Sequence, residues 1–202
     1  DVYAGDWPMR YAACSPVPLA HVEAGGYLGT RIKRNLGSVM AGLESAIPRG
    51  FEARAAGKAL PPEADRLAAD SDLYKWLEGA CYMYVQTGDE ELKQAIDRIA
   101  GLIVACQTGD GYINTQVPPC KRFDPGVRHD LYIAGHFFEA AVAHYRATGE
   151  RVLLDAACRW AEYLLKEFER GNPYFTNTRE HSEYELGLLR LSRATGRRRY
   201  RD

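Results

Sequence analysis

The chain has 202 residues, 46% of them hydrophobic and 26% charged, which is typical of a globular domain and excludes a disordered or collagen-like chain. Its 26 basic and 27 acidic residues give a formal net charge of −1, so the composition shows no nucleic-acid-binding surface. No apolar run reaches the roughly 18 residues needed to cross a bilayer, and the N-terminus lacks the pattern of a signal peptide. We expect no nucleic-acid or membrane partner; the compartment stays open, with the cytoplasm favoured.

The five cysteines are predicted to be free thiols and not parts of a metal or disulfide framework. They are Cys14, Cys81, Cys106, Cys120 and Cys158. Because no Cys-x-x-Cys pair occurs, the spacing gives no structural zinc site, and an odd count excludes a complete disulfide framework. Three of the five lie in helical apolar patterns, where a free cysteine usually serves as a small core residue.

The N-terminal third of the chain carries the weakest helical pattern. Residues 1–28 are predicted to form a loop-like lead-in because several prolines interrupt them. Residues 29–46 show apolar side chains at helical spacing and are predicted to form a helix. Residues 47–69 are rich in proline and glycine and are predicted to connect it to the next helix.

From Asp70 onward the sequence repeats a pair of helices. Two successive pairs each consist of a helix that is apolar on nearly all sides and then an amphipathic helix. A third apolar helix begins near Glu183. The predicted helices cover residues 70–87, 89–106, 131–147, 153–168 and 183–195. Each apolar helix ends at Thr-Gly, the pairs being Thr87-Gly88, Thr148-Gly149 and Thr195-Gly196. The helix starts also match, with Asp72-Leu73-Tyr74 aligned to Asp130-Leu131-Tyr132.

This repeat of αα-hairpins predicts an all-α fold. Helix pairs form either a solenoid or an α/α toroid, in which inner helices line a ring and outer helices cover it. The uneven spacing of the Thr-Gly pairs favours the toroid, so residues 29–202 are predicted to form part of one. A closed six-fold toroid needs about twelve helices, which exceeds about 200 residues. We therefore expect an open arc with apolar ends that favour self-association.

Polar segments before the apolar helices are the candidate ligand-binding positions. Asp110, Tyr112 and Asn114 combine an aromatic ring with a carboxylate and an amide, which suits sugar rings and hydroxyls; the alternative is a plain turn at Asp110. His129 stands at a helix start, where the dipole favours a neutral imidazole that can bind a hydroxyl; the alternative is a capping role. His181 precedes the third apolar helix.

Other polar residues favour ordinary structural roles. His136 is predicted to be a core histidine, and His144 a residue on a helix surface. Ser182 and Glu185 have the spacing of a capping box. His181 and Glu185 could share a helix face as metal ligands, but the sequence offers no third ligand nearby. No known zinc-protease, serine-hydrolase or phosphate-binding motif occurs.

Four motifs in order resemble glycoside hydrolase family 127, the β-L-arabinofuranosidase family. Residues 71–80, SDLYKWLEGA, resemble the family's SDVYKWLEAA helix, and residues 107–115, QTGDGYINT, are similar to its QxxDGYLNT loop. Residues 129–136, HDLYIAGH, resemble HELYCAGH, and residues 181–186, HSEYEL, resemble HEEIEL. The resemblance implies an α/α toroid followed by β-sandwich domains, and it implies substrates that contain β-L-arabinofuranosides.

The resemblance also implies what this chain lacks. Family members retain configuration and use a cysteine nucleophile on a zinc ion with a glutamate acid/base. Their zinc ligands lie in Glu-x-Cys and Cys-Cys motifs, and neither motif occurs here. The family histidines that touch the sugar map onto His129 and His181, whereas a third, in a GHAVR motif, has no match. We therefore expect the N-terminal part of such an enzyme, with sugar contacts but no catalytic residue and no bound zinc.

Two alternatives remain at this stage. Another toroid enzyme, of the unsaturated glucuronyl hydrolase or sugar epimerase type, also places acids and histidines at the ends of inner helices. A non-catalytic helical-repeat binding module would share the helix pattern and would bind no sugar.

Overall fold

The structure is a computed structural model that describes residues 17–43, 45, 47–118, 121–123, 129–177 and 181–202. Within those residues every regular element is helical. The α-helices are α1 (Gly26–Gly42), α2 (Arg49–Ala55), α3 (Asp70–Thr87), α4 (Glu90–Ala105), α5 (Asp130–Thr148), α6 (Val152–Glu169), α7 (Tyr174–Asn177) and α8 (Glu183–Thr195). Short 3-10 turns lie at Leu19–His21, Pro62–Ala64 and Arg198–Tyr200. None of the described helices is both long and apolar enough to span a membrane.

The helices form two rows. Helix α5 packs against both α3 and α8, and α3 also contacts α1; we call these four helices the inner row. Helices α2, α4 and α6 contact one another in sequence and form the outer row. Successive hairpins thus contribute one helix to each row, which is the arrangement predicted for part of an α/α toroid.

The Thr-Gly repeats are helix ends with one shared geometry. Gly88, Gly149 and Gly196 all adopt the left-handed conformation, and each donates its N–H to a carbonyl four residues earlier at 2.8 Å. In every case the preceding threonine hydroxyl donates to the carbonyl four residues before it and accepts from the N–H two residues after it. A left-handed residue after a helix favours glycine, so the recurring pair marks the ends of α3, α5 and α8.

The core lies between the two rows and is built from aliphatic and aromatic side chains. Helix α5 contributes the largest share, because its residues face α3 and α8 on one side and α6 on the other. Trp160 of α6 is fully buried and stacks at tilted and edge geometries on Phe137 and Phe138. Cys81, Cys106 and Cys158 are free and buried, as predicted, while Cys14 and Cys120 lie outside the described residues.

The boundaries differ from the predictions mainly in the N-terminal third. Helix α1 begins at Gly26 and ends at Gly42, so it lies three to four residues closer to the N-terminus than the predicted span 29–46. The predicted connector 47–69 contains helix α2, whose Phe51 is fully buried and explains why this short helix forms. Packing stabilises α2, because a helix of seven residues is too short to be stable alone.

Candidate functional site

Three histidines and a tyrosine meet where the inner helices begin. His129 precedes α5, Tyr132 and His136 lie in its first two turns, and His181 lies just before α8. The rings of His129 and His181 are 5.8 Å apart, and the Tyr132 ring lies 5.2 Å from His181 and 4.5 Å from His136. We call these four residues the histidine cluster. His181 is exposed and the other three are half-buried, so the cluster can contact a ligand.

Close contact between α5 and α8 accounts for the meeting of His129 and His181. A Cβ atom on Gly135 would lie 2.5–2.6 Å from backbone atoms of Glu183 and Tyr184, and one on Gly187 would lie 2.7 Å from the Gly135 carbonyl oxygen. Real Cβ atoms do not approach that closely, so only glycine allows the two backbones to touch. The crossing therefore fixes the N-terminal end of α8 against the first turns of α5.

Two charged side chains, those of Lys75 and Glu183, contact the cluster. Lys75 of α3 donates a hydrogen bond from Nζ to the Tyr132 hydroxyl at 2.8 Å, and its ammonium lies 5.0 Å from the centre of the Tyr132 ring. The carboxylate of Glu183 lies 3.4 Å from Nδ1 of His136. Burial, aided by the Lys75 charge, lowers the pKa of His136 to about 4, so this imidazole is neutral at pH 7. Around His136 the cluster thus offers a neutral imidazole and the Tyr132 phenol beside one ammonium and one carboxylate.

Asp110, the first of the predicted loop contacts, is bound by residues that do not belong to the cluster. Its carboxylate is bonded by Arg122 and by the Thr108 hydroxyl, and Arg122 also reaches Tyr163 of α6 in the outer row. Partial burial alone would raise the pKa of Asp110, but the hydrogen bonds from Thr108 and Arg122 lower it below its usual value. A sugar contact by Asp110 stays a prediction.

Tyr112 and Asn114 are buried beneath the site. Tyr112 is 1% exposed and Asn114 is 3% exposed, so their side chains face the protein interior. Both donate to Oδ1 of Asp130, at 2.5 Å and 2.9 Å respectively. Burial, together with the Asp130 charge, raises the pKa of Tyr112, so the phenol stays protonated. Their sugar contacts stay a prediction, and in this structure both residues hold Asp130.

Asp130 is the site residue that the sequence analysis missed. It is buried, begins α5, and also accepts the backbone N–H of Phe123 at 3.1 Å. His129, directly before it, adopts the left-handed conformation with φ 49°. Because Asp130 is held by three donors, it fixes the position from which His129 projects. The sequence carried one signal for this role, since Asp130 is an acidic residue directly after the histidine that opens the HDLYIAGH motif.

Asp70 plays a matching part at the start of α3. It is buried, and it accepts the N–H of Thr115 at 2.6 Å and the hydroxyl of the same residue at 2.5 Å. Burial raises the pKa of Asp70 to about 6 although these hydrogen bonds lower it. The loop of residues 112–117 is therefore tied to the first residues of two neighbouring inner helices.

Three sequence predictions about polar residues require correction. His144 is fully buried and does not lie on a helix surface, because α5 is enclosed by its neighbours at that point. The Ser182 side chain makes no capping hydrogen bond, so the predicted capping box with Glu185 does not form. His136 is not enclosed in the core, since it contacts Tyr132 and Glu183 at the histidine cluster.

Comparison with known proteins supplies a family for this arrangement. The family described as "Beta-L-arabinofuranosidase, GH127 catalytic domain" matches residues 30–202. The non-reducing end beta-L-arabinofuranosidase of Bifidobacterium longum subsp. longum is 36% identical over 143 residues, or 65% of this chain and 21% of the relative. The chain therefore spans about a fifth of the length of that relative.

Solved structures agree with the predicted architecture. A GH127 beta-L-arabinofuranosidase from Geobacillus stearothermophilus T6 matches with a TM-score of 0.69 and 37% identity, covering 77% of this chain and 25% of that one. A second GH127 beta-arabinofuranosidase matches with a TM-score of 0.73 and 26% identity, covering 92% and 32% respectively. These matches confirm the all-α fold as part of a toroid.

Proposed function

The chain belongs to the glycoside hydrolase family 127 catalytic-domain family, and from that membership we propose that it forms the sugar-binding N-terminal part of a β-L-arabinofuranosidase. In this proposal His129 and His181 bind the hydroxyl groups of an L-arabinofuranoside. Family membership supports this function over that of an unsaturated glucuronyl hydrolase or a sugar epimerase.

The short distance between the His129 and His181 rings is the main support for the proposal. The two residues are 52 positions apart in sequence, yet their rings lie 5.8 Å from one another at the ends of adjacent inner helices. Imidazoles donate and accept hydrogen bonds, which suits sugar hydroxyls, and the neighbouring Tyr132 ring offers an apolar face to the sugar. Asp130, Tyr112 and Asn114 support this surface from below.

The zinc and cysteine chemistry of the family does not fit the described residues. Cys81, Cys106 and Cys158 are buried, and burial raises the pKa of each thiol, which disfavours the thiolate that binds zinc. Among the described residues, none of these cysteines belongs to a group of three or more ligands that could share one ion. We derive no step through a metal-bound cysteine and propose that this chain does not hydrolyse glycosides alone.

Sugar binding and hydrolysis can be tested separately on the 202-residue chain. Calorimetric titration with methyl β-L-arabinofuranoside should show binding that His129→Ala or His181→Ala weakens at least tenfold. His21→Ala, at an exposed histidine in the first 3-10 turn, is the matched control and should bind as the unaltered chain does. Absence of binding, or equal binding by all variants, would contradict the proposed contacts. Zinc-dependent release of L-arabinose would contradict the proposed lack of activity.

A further inference from the structure

A second group of ligand-type side chains lies at the opposite end of α5. Asp97 of α4, His144 of α5 and Glu150 of the α5–α6 turn each offer one ligand atom, and these atoms all lie within 4.8 Å of one another. His144 follows Tyr132 by twelve residues, which is about 18 Å along a helix. The group is therefore separate from the histidine cluster and joins one hairpin to the next.

His144 gives this group a feature that an exposed acidic cluster lacks. Its side chain is fully buried, neither ring nitrogen has a side-chain hydrogen-bond partner, and only the backbone of Glu150 acts on the ring. Buried polar atoms are nearly always paired, so a buried imidazole that has no side-chain partner and lies beside two carboxylates has a nitrogen available for a ligand.

A cation already stands beside these residues. The Lys93 ammonium lies 2.6 Å and 2.7 Å from the two Asp97 oxygens and 3.0 Å from an oxygen of Glu150. An ammonium can donate a hydrogen bond to an imidazole nitrogen, but the hydrogen bonds of Lys93 go to the two carboxylates and none reaches His144. Lys93 thus satisfies the carboxylates but leaves His144 unsatisfied.

We propose that Asp97, His144 and Glu150 bind one divalent transition-metal ion, with Zn²⁺ as the best fit, and that Lys93 competes with the metal for the two carboxylates. One imidazole and two carboxylates form a common zinc ligand set, with water as the fourth ligand. Calcium and magnesium prefer oxygen ligands alone, so a histidine in the group disfavours them. The half-exposed Asp97 and Glu150 side chains can close the remaining distance, since tetrahedral zinc ligands lie about 3.3 Å apart.

The bound ion would fasten α4 to the junction of α5 and α6. It would replace the Lys93 ammonium, whose side chain is 17% exposed and can move into solvent. Two carboxylates with a divalent ion are neutral, whereas with one ammonium they keep a charge of −1. The site is independent of the sugar-binding function, because it shares no residue with the histidine cluster.

The test uses ZnCl₂ alone with the 202-residue chain, and native mass spectrometry and calorimetry measure stoichiometry and affinity. Lys93→Met keeps the stem and removes the competing charge, so we expect one Zn²⁺ bound at least tenfold more tightly than by the unaltered chain. Asp97→Asn and Glu150→Gln alter half-exposed groups and should each weaken binding at least tenfold. Glu90→Gln, at an exposed acid at the start of α4, is the control and should leave binding unchanged.

Imidazole NMR separates this site from zinc held by the histidine cluster. Zinc should shift the ring nitrogen signals of His144 in the unaltered chain, and His144→Gln should remove one bound ion in mass spectrometry. If His144→Gln does not fold, the Asp97 and Glu150 variants supply the same comparison. Unmoved His144 signals at saturating zinc, or no gain in affinity for Lys93→Met, would overturn the proposal.

Discussion

The phenolic hydroxyl of Tyr112 donates a hydrogen bond to the carboxylate of Asp130, and both groups are buried beneath the histidine cluster. Tyr112 comes from the loop that follows α4, and Asp130 is the first residue of α5. The bond therefore links the loop motif to the histidine motif that the sequence presents as separate segments. Through it, a residue that faces the interior holds the residue next to His129.

Removing this bond should destabilise the chain and disturb His129. Tyr112→Phe leaves the Asp130 carboxylate with one buried donor fewer, which costs about 1–3 kcal/mol in the free energy of unfolding. Urea denaturation measures that loss, and the imidazole NMR signals of His129 should shift. Tyr27→Phe, at a tyrosine that is 74% exposed, is the control and should change neither quantity. A Tyr112→Phe chain of unchanged stability would contradict the linking role of this bond.

The crossing of α5 and α8 predicts that Gly135 tolerates no side chain. Gly135→Ala places a Cβ within 2.6 Å of the α8 backbone, so the helices must separate, at a cost of about 2 kcal/mol or more in stability. Separation should also weaken binding of an arabinofuranoside, because His181 moves away from His129. Thermal unfolding and sugar titration measure the two effects.

Gly101 offers a matched control for that substitution. It lies inside α4, and a Cβ there would meet no atom within 4 Å. Gly101→Ala should therefore raise stability by about 0.5–1 kcal/mol, because alanine favours a helix more than glycine does. If both alanine variants behave alike, close backbone contact is not the reason for glycine at position 135.

The helices were predictable because their signals are local. Apolar spacing and the Thr-Gly ends depend on neighbouring residues, and the starts of α3 and α8 and the Thr-Gly ends of α3, α5 and α8 agree with the prediction. Helix α2 was missed because its stability comes from the burial of Phe51, which is a tertiary contact. Five of its seven residues are good helix formers, but a helix this short is not stable without tertiary contacts.

The site was harder to predict because the neighbouring residues in the sequence do not determine whether a polar side chain is buried. The sequence aligns Asp72 with Asp130, yet Asp72 is only half-buried and pairs with Arg66 at 2.8 Å, while Asp70 is the buried counterpart. Tyr112 and Asn114 have the residue types of sugar contacts, and the same donors serve equally well to hold a buried carboxylate. Only the packing of the loop distinguishes the two uses.

Asp70 predicts a specific dependence of stability on pH. Its pKa is about 6 in the folded chain and about 3.9 in an unfolded one, so the folded chain binds the proton more tightly. The stability that protonated Asp70 contributes is fully present below about pH 4 and is lost as pH rises through 6. Relative to the Asp70→Asn chain, the free energy of unfolding of the unaltered chain should fall by about 2–3 kcal/mol between pH 4 and pH 7.

Comparison of the two chains isolates this effect. Burial lowers the pKa of His136 and of His144. These two residues therefore make the folded chain less stable as pH falls below about 6.5, which is the opposite of the Asp70 effect. Their contributions are the same in both chains and cancel in the difference. Urea denaturation at pH 4, 5, 6 and 7 measures it, and a difference that stays constant over this range would refute the buried-carboxylate assignment.

The exposed ends of the inner row predict self-association. Leu186 and Leu189 of α8 are 46% and 44% exposed, and Tyr27 and Leu28 of α1 are 74% and 65% exposed. Apolar side chains on a helix face that no described helix covers favour contact between copies. Sedimentation velocity should therefore show dimers or larger species that increase with protein concentration.

Changing the α8 end should reduce that association. The double substitution Leu186→Glu and Leu189→Glu replaces two half-exposed apolar side chains with charges, and should weaken association about tenfold or more, because each contact loses about 1 kcal/mol. Val152→Glu is the matched control, since Val152 is 42% exposed but begins an outer-row helix, and it should associate as the unaltered chain does. A chain that stays monomeric at every concentration would contradict the prediction. Equal effects of both changes would show that added charge, and not the α8 face, controls association.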